Sequence, residues 1–221
     1  MPSEIVIPLF PLGLVLFPHM PLPLHIFEER YKTMIGECLE EDKVFGVVYF
    51  SGDQIHRIGC TARIVDVLKR YDDGRLDIFT RGETRFVVKA LYDEKLYLQA
   101  RIAPLEDPSE EPTDELTTLA GQGLDLLKEI SRTTPNRAET DLSARLDLTR
   151  LSFIIAGNDG FSPTEKQRFL EMTSTQERLK KGVQSLGKVL ERIKIGEEIR
   201  KIIGGNGQIA RSLAGKIQDP K

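Results

Sequence analysis

IVIPLFPLGLVLFPHMPLPLHIFEERY, residues Ile5 to Tyr31, is the stretch whose reading decides the fold. Apolar residues alternate here with Pro8, Pro11, Pro18, Pro21 and Pro23, and Ile26-Phe27-Glu28-Glu29-Arg30-Tyr31 then opens a helix. Proline fixes φ and donates no amide hydrogen, so strand interiors rarely accept it. The spacing therefore predicts short edge strands joined by rigid extended turns. Such a loop system either closes a β-barrel or presents a groove.

From this stretch to about Leu105 the pattern is mostly β. Val44 to Phe50 is a continuous apolar run that suits a strand buried on both faces. Gly59 to Val67 alternates, with Cys60, Ala62, Ile64 and Asp66 on one face. Asp73-Gly74 marks a hairpin. Arg81 to Arg85 reads as a second turn, between Leu76–Thr80 and Phe86–Val88, and Tyr92 to Lys95 as a third. Close hairpins predict an antiparallel meander curling into a barrel. One helix interrupts it at about Glu28 to Glu41, with Tyr31, Met34, Ile35, Cys38 and Leu39 as its buried stripe.

PLEDPSEEPTD, Pro104 to Asp114, is acidic and proline-rich and reads as a linker. Helical periodicity follows. Glu115 to Ile130 offers Leu116, Leu119, Leu124, Leu127 and Ile130 as buried positions. After a loop at Thr133 to Asn136, Leu142 to Ala156 is helical and stops at Gly157-Asn158. Ser162-Pro163-Thr164-Glu165 is a capping box that opens a helix to about Met172. Thr173 or Ser174 caps a long final helix to about Ile203, where Gly204-Gly205-Asn206-Gly207 is expected to stop it. Leu179, Val183, Leu186, Leu190 and Ile193 form a short heptad-like seam, expected to pack within the chain. The expected fold class is α+β: an antiparallel β-barrel subdomain with one helix over 1–105, a linker over 106–114, an α-helical bundle over 115–205 and a flexible tail over 206–221.

The bulk numbers exclude several classes. The chain has 221 residues with a formal net charge of −3, which gives no long-range attraction for a phosphate backbone. Its two cysteines, Cys38 and Cys60, are too few for a disulfide framework and read as buried thiols. No apolar run approaches a membrane span, and MPSEIVIPLF lacks the basic start and small-residue cleavage site of a signal peptide. A cytoplasmic location is the expectation.

Catalytic patterns are equally sparse. Gly182 to Lys188 matches G-x-x-x-x-G-K of a phosphate loop, but Val189 stands where Ser or Thr should hold Mg²⁺, and the segment lies inside a predicted helix. Ser212 and Lys216 have helical i, i+4 spacing in the polar tail, with no pocket around them. His19, His25 and His56 are scattered, without metal-ligand spacing. His25 reads as a satisfied, partly buried histidine. No cofactor, metal or catalytic residue is expected.

Several motifs in order resemble the N-terminal domain of Lon proteases. P-L-F-P, L-F-P and P-L-x-I-F-E-x-R-Y lie in the opening segment. Ile58-Gly59-Cys60-Thr61-Ala62-Arg63-Ile64 is similar to an I-G-x-x-A-x-I strand, and Phe79 to Phe86 to a G-x-x-R-F hairpin. Glu165 to Glu171 and Glu177-Arg178-Leu179 resemble the helical ending. The resemblance covers roughly residues 5 to 200. It implies a PUA-like barrel followed by a helical bundle, and a substrate-binding part without the ATPase and Ser-Lys peptidase modules.

The functional expectation is a non-catalytic peptide- or protein-binding module. Its partners would be unfolded or damaged polypeptides, with a protease or chaperone elsewhere. Phe17, Pro18, Met20 and Leu22 are the candidate apolar contacts, since proline rigidity lowers the entropic cost of presenting them. The competing reading has them plug the barrel end. Arg30 and Arg85 carry two readings as well. Arg30 pairs locally with Glu28 and Arg85 blunts a strand edge, or both bind a peptide carboxylate through their planar forks. The alternative functions are a small-ligand or RNA-binding PUA-like protein, or an enzyme with an unrecognised pocket.

Overall fold

A computed structural model describes residues 4–111, 113–133 and 147–216, with backbone alone at 201–202 and 204–216. In chain order the elements are β1 (Ile5–Leu12), β2 (Pro21–Ile26), α1 (Glu29–Glu40), β3 (Phe45–Ser51), β4 (Gln54–Arg70), β5 (Leu76–Tyr92) and β6 (Gln99–Pro104). Among the described residues four helices follow: α2 (Asp114–Thr133), α3 (Leu148–Ala156), α4 (Pro163–Glu171) and α5 (Thr175–Lys216). The architecture is α+β. Strands run in the order β2-β5-β4-β3-β1-β6, and β5 also pairs with β6, which closes a ring to which β2 is appended. Pairing is antiparallel except between β1 and β3, which the crossover through β2 and α1 brings side by side in parallel.

The prolines of β1 are accommodated inside the sheet order rather than at its edge. Ile5–Pro8 pair with β6 and Leu9–Leu12 with β3. Each half of β1 therefore has one side without a ladder, where a missing amide hydrogen costs little.

The turn expected at Arg81 to Arg85 is not there. β5 is one strand of 17 residues that runs straight through it. Gly82 marks a close approach of another backbone, not a reversal. A Cβ at this position would lie 2.2 Å from the Phe17 carbonyl oxygen. Two main-chain bonds use that space: His19 N–H donates to the Gly82 carbonyl at 2.8 Å, and Gly82 N–H to the Met20 carbonyl at 2.9 Å. The Asp73-Gly74 hairpin is present, with Gly74 at φ +84°. On β4, Cys60 and Ala62 are buried, Ile64 is half-buried and Asp66 is exposed. Register shifts at Cys60/Ala62 and Ile64/Asp66 break the simple alternation.

The apolar stripe of α1 is buried at Tyr31, Met34, Ile35 and Cys38. It closes one end of the barrel over Phe10, Phe45, Val47 and Ile78. A second helical core gathers Leu116, Ile130, Leu151, Phe153, Ile155, Phe169, Leu179, Leu186 and Leu190. The α5 seam thus packs within the chain. The capping box at Ser162 and Glu165 is formed with Pro163 in the first turn, and Ser174 Oγ accepts from Glu177 N–H at 3.2 Å at the start of α5.

α5 does not stop at Gly204. It continues to Lys216, 42 residues in all. Glycine costs a helix about 1 kcal/mol each, but unlike proline it keeps its N–H and makes no clash, so it weakens the helix without ending it. The expected loop after Thr133 and the expected helix start at Leu142 lie outside the described residues, as do the side chains of Ser212 and Lys216. Gly182 to Lys188 lies within α5, with Gly182 set against Ile155. Among the described residues no helix is long and apolar enough to cross a membrane.

Candidate functional site

The loop between β1 and β2 is divided between two cores. Leu16 and Leu22 are buried in the barrel. Phe17, 2% exposed, enters the helical core, its ring centroid 6.0 Å from that of Phe153. Met20 is half-buried and touches both cores. His19 at the tip is exposed, with φ +64°. The clamp at Gly82 holds this shape, so Phe17 fastens the barrel to the helices. Gln167 adds a second tie, donating from Nε2 to the Ile58 carbonyl at 3.0 Å.

Beside Phe17 lies a buried cluster of charges. Arg85 of β5 is 3% exposed and donates to the carbonyls of Leu170 at 2.7 Å and Met172 at 2.5 Å. Arg178 of α5 is fully buried and donates to Ser152 Oγ at 2.7 Å and the Met172 carbonyl at 2.6 Å. Both guanidiniums also donate to one carboxylate, Asp107 of the linker. They lie over the Phe153 ring, 5.2 Å and 4.0 Å from its centroid. Burial pulls Arg85 below the usual guanidinium range; Asp107 opposes this and Arg178 adds to it. Glu110 accepts the Thr175 and Gln176 amides at 3.0 and 2.9 Å, at the N-terminus of α5. A cavity of about 610 Å³ opens onto Arg85, Asp107 and Glu110, lined also by Pro18, Leu105, Leu116 and Thr149, with Arg178 outside its lining.

The six candidate contacts are therefore not on one surface. Phe17, Pro18, Leu22 and Arg85 are inside the molecule or at the cavity, and Met20 is partly covered. Arg30 is exposed and paired with Glu28, Nε to Oε2 at 2.9 Å, with its guanidinium 4.5 Å from the Tyr31 ring centre. Other residues carry the exposed apolar surface here. Pro21 and Pro23 of β2 face solvent, and Phe27 is 61% exposed. Phe27 stacks on His25, which is exposed rather than partly buried and holds Asp77 at 2.6 Å through Nδ1. Phe27 was readable only as part of a helix start. Arg178 stood out only as part of the Glu177-Arg178-Leu179 motif and as a break in an apolar helix face, and Asp107 only as one of an acidic run.

The thiols are buried at both positions. Burial, with Glu37 and Glu41 adding to it, pushes Cys38 up to about 11, and burial raises Cys60 further.

Comparison with known proteins agrees with this architecture. The model of the ATP-dependent protease La (LON) substrate-binding domain matches residues 6–188. Lon protease of Flavobacterium johnsoniae is 27% identical over 207 residues, 88% of this chain and 25% of that protein. Lon protease of Anaeromyxobacter dehalogenans is 29% identical over 212 residues, 90% of this chain and 25% of its own length. The chain thus spans about a quarter of these relatives. Two solved structures share the fold. The Lon N-terminal domain protein of Xanthomonas campestris superposes with TM-score 0.63 at 23% identity, over 80% of this chain and 96% of its own. The N-terminal domain of the Mycobacterium avium complex Lon protease gives 0.67 at 20%, over 82% and 98%.

Proposed function

We propose that this chain, which belongs to the LON substrate-binding domain family, is a non-catalytic module that binds unfolded or damaged polypeptides in the cytoplasm. The observation that carries the reading is the exposed apolar margin of the barrel: Pro21 and Pro23 along the edge strand β2, ending in Phe27 at 61% exposure. Large aromatics left in water at a rigid edge fit the capture of apolar segments. The two prolines supply no amide hydrogens, so the edge is poor in donors and suits side-chain contact better than strand addition. Met20 and Arg30 border this margin. Leu22 packs into the barrel beneath this margin, while Phe17 and Arg85 face the helices. A protease or chaperone would then act on what the module holds, which puts the chain in protein quality control.

The test is crosslinking of the purified chain to a reduced, casein-like polypeptide, with the contacts located by mass spectrometry. Contacts are expected at residues 20–30, and Phe27→Glu should weaken binding about tenfold. Crosslinks no more frequent than with a folded control protein would refute the assignment.

A further inference from the structure

Two guanidiniums at the barrel–helix junction share one carboxylate. Arg85 and Arg178 both donate to Asp107. Two other acids reach the first turn of α5: Glu110 is taken up by main-chain amides and Glu115 by the Gln176 side chain. The guanidiniums also donate to neutral oxygens of Leu170, Met172, Ser152 and Thr175. Two charges held within 3% exposure and answered by one make a fixed anion site. The anion that fills it comes from the linker, which has no regular secondary structure from Leu105 to Glu111. The cavity of about 610 Å³ opens onto Arg85 and Asp107, with Arg178 outside its lining, and Leu105, Leu116 and Phe153 give it apolar walls. Of the other acids that line it, Glu83 accepts from Arg63, Asp147 accepts from the Arg150 amide and Glu106 is exposed.

We propose that Arg85 and Arg178 form a carboxylate-binding site, that Asp107 occupies it from within the chain, and that the C-terminal carboxylate of a bound polypeptide replaces Asp107 there. The proposal rests on the polypeptide-binding reading above and adds to it a ligand group and an internal competitor. An unattached carboxylate must displace one tethered next to the site, so the intact chain binds weakly and release of the linker strengthens binding. The apolar walls take the last side chains of the polypeptide, and the planar forks take its terminus.

The experiment uses the whole chain and Asp107→Asn, which keeps the size of the occupant and removes its charge. Fluorescence anisotropy compares an apolar decapeptide with a free C-terminus, its C-terminal amide, and an amide carrying an internal glutamate. Asp107→Asn should bind the free-acid form about tenfold more tightly than the amide, as loss of a charge-assisted hydrogen-bond pair implies, with a smaller ratio in the wild type. Equal affinity for acid and amide overturns the proposal. A glutamate peptide that matches the free-acid form overturns its C-terminal assignment. Should Asp107→Asn not fold, the arginine Nε–Hε resonances of the wild-type chain provide the same test. The acid peptide is expected to shift those of Arg85 and Arg178, and no shift at saturation overturns the site. Asp107→Ala melted in formate and in chloride at equal ionic strength separates the two readings. Recovery of melting temperature by formate alone, with no peptide bound, supports the anion site and counts against polypeptide capture. No recovery, with unfolded polypeptide still bound by the wild type, overturns the anion site alone.

Discussion

The barrel interior and the barrel–helix junction are both buried, yet they are built from opposite materials. The barrel is filled by Phe10, Phe45, Val47, Ile78 and two neutral thiols. The junction holds Arg85, Arg178 and Asp107 beside the single aromatic anchor Phe17. Apolar packing is non-directional and tolerates exchange of like for like. A buried ion cluster tolerates almost none, because removing one member strands the others without solvent. The difference teaches that the two halves of this molecule are joined by geometry-specific bonds, while each half is held by bulk burial.

Four measurements break or sharpen that contrast. Asp107→Ala leaves two guanidiniums buried without their counter-ion and should cost about 3–5 kcal/mol, read by urea denaturation. If the loss is below 1 kcal/mol, the junction is wetter than its burial implies. Phe17→Ala empties the aromatic anchor and should cost about 3–4 kcal/mol. Calorimetry should then show helices and barrel melting as two transitions instead of one; an unchanged single transition means that other contacts join them.

The barrel responds instead to alkali. The folded Cys38 thiol, at about 11, lies above its unfolded value of 9.0. The unfolded chain therefore ionises first, so this stability is complete below pH 9 and is lost as pH rises from 9 to about 11. The loss should reach roughly 2–3 kcal/mol, and Cys38→Ala should abolish that part of the pH dependence. A pH profile identical in the variant would contradict the assignment. The last measurement is at Gly82, where a methyl group meets the Phe17 carbonyl oxygen, a backbone atom that must shift. Gly82→Ala should cost about 1–3 kcal/mol by overpacking and should speed hydrogen exchange at His19, which donates to the Gly82 carbonyl. Unchanged exchange would mean that the loop keeps its clamp.

What was legible in the sequence follows the range of the interactions. The α1 stripe, the capping box at Ser162 and the Asp73-Gly74 hairpin rest on residues within a few positions of one another, and the chain displays them directly. The α5 seam was readable for the same reason. Gly82 was misread because glycine has two structural uses, and only the distant Phe17 backbone decides between them. The parallel pairing of β1 with β3 and the transfer of β1 to β6 depend on residues 37 and 91 to 97 positions apart. The candidate site was least legible. Arg85 and Arg178 lay in motifs of the family resemblance, but Arg85, Asp107 and Arg178 are separated by 22 and 71 positions, and nothing local shows that they meet. Phe27 was hidden by its place beside a helix start.

α5 extends far past the cluster that fixes its first turn. Its 42 residues make a rod of about 63 Å at ~1.5 Å per residue. Leu179, Leu186, Leu190 and Ile193 hold its first half in the helical core, so only the part beyond Ile193 is free to swing. That part is about 35 Å long, and a tilt of about 5° at Ile193 would carry its end through roughly 3 Å.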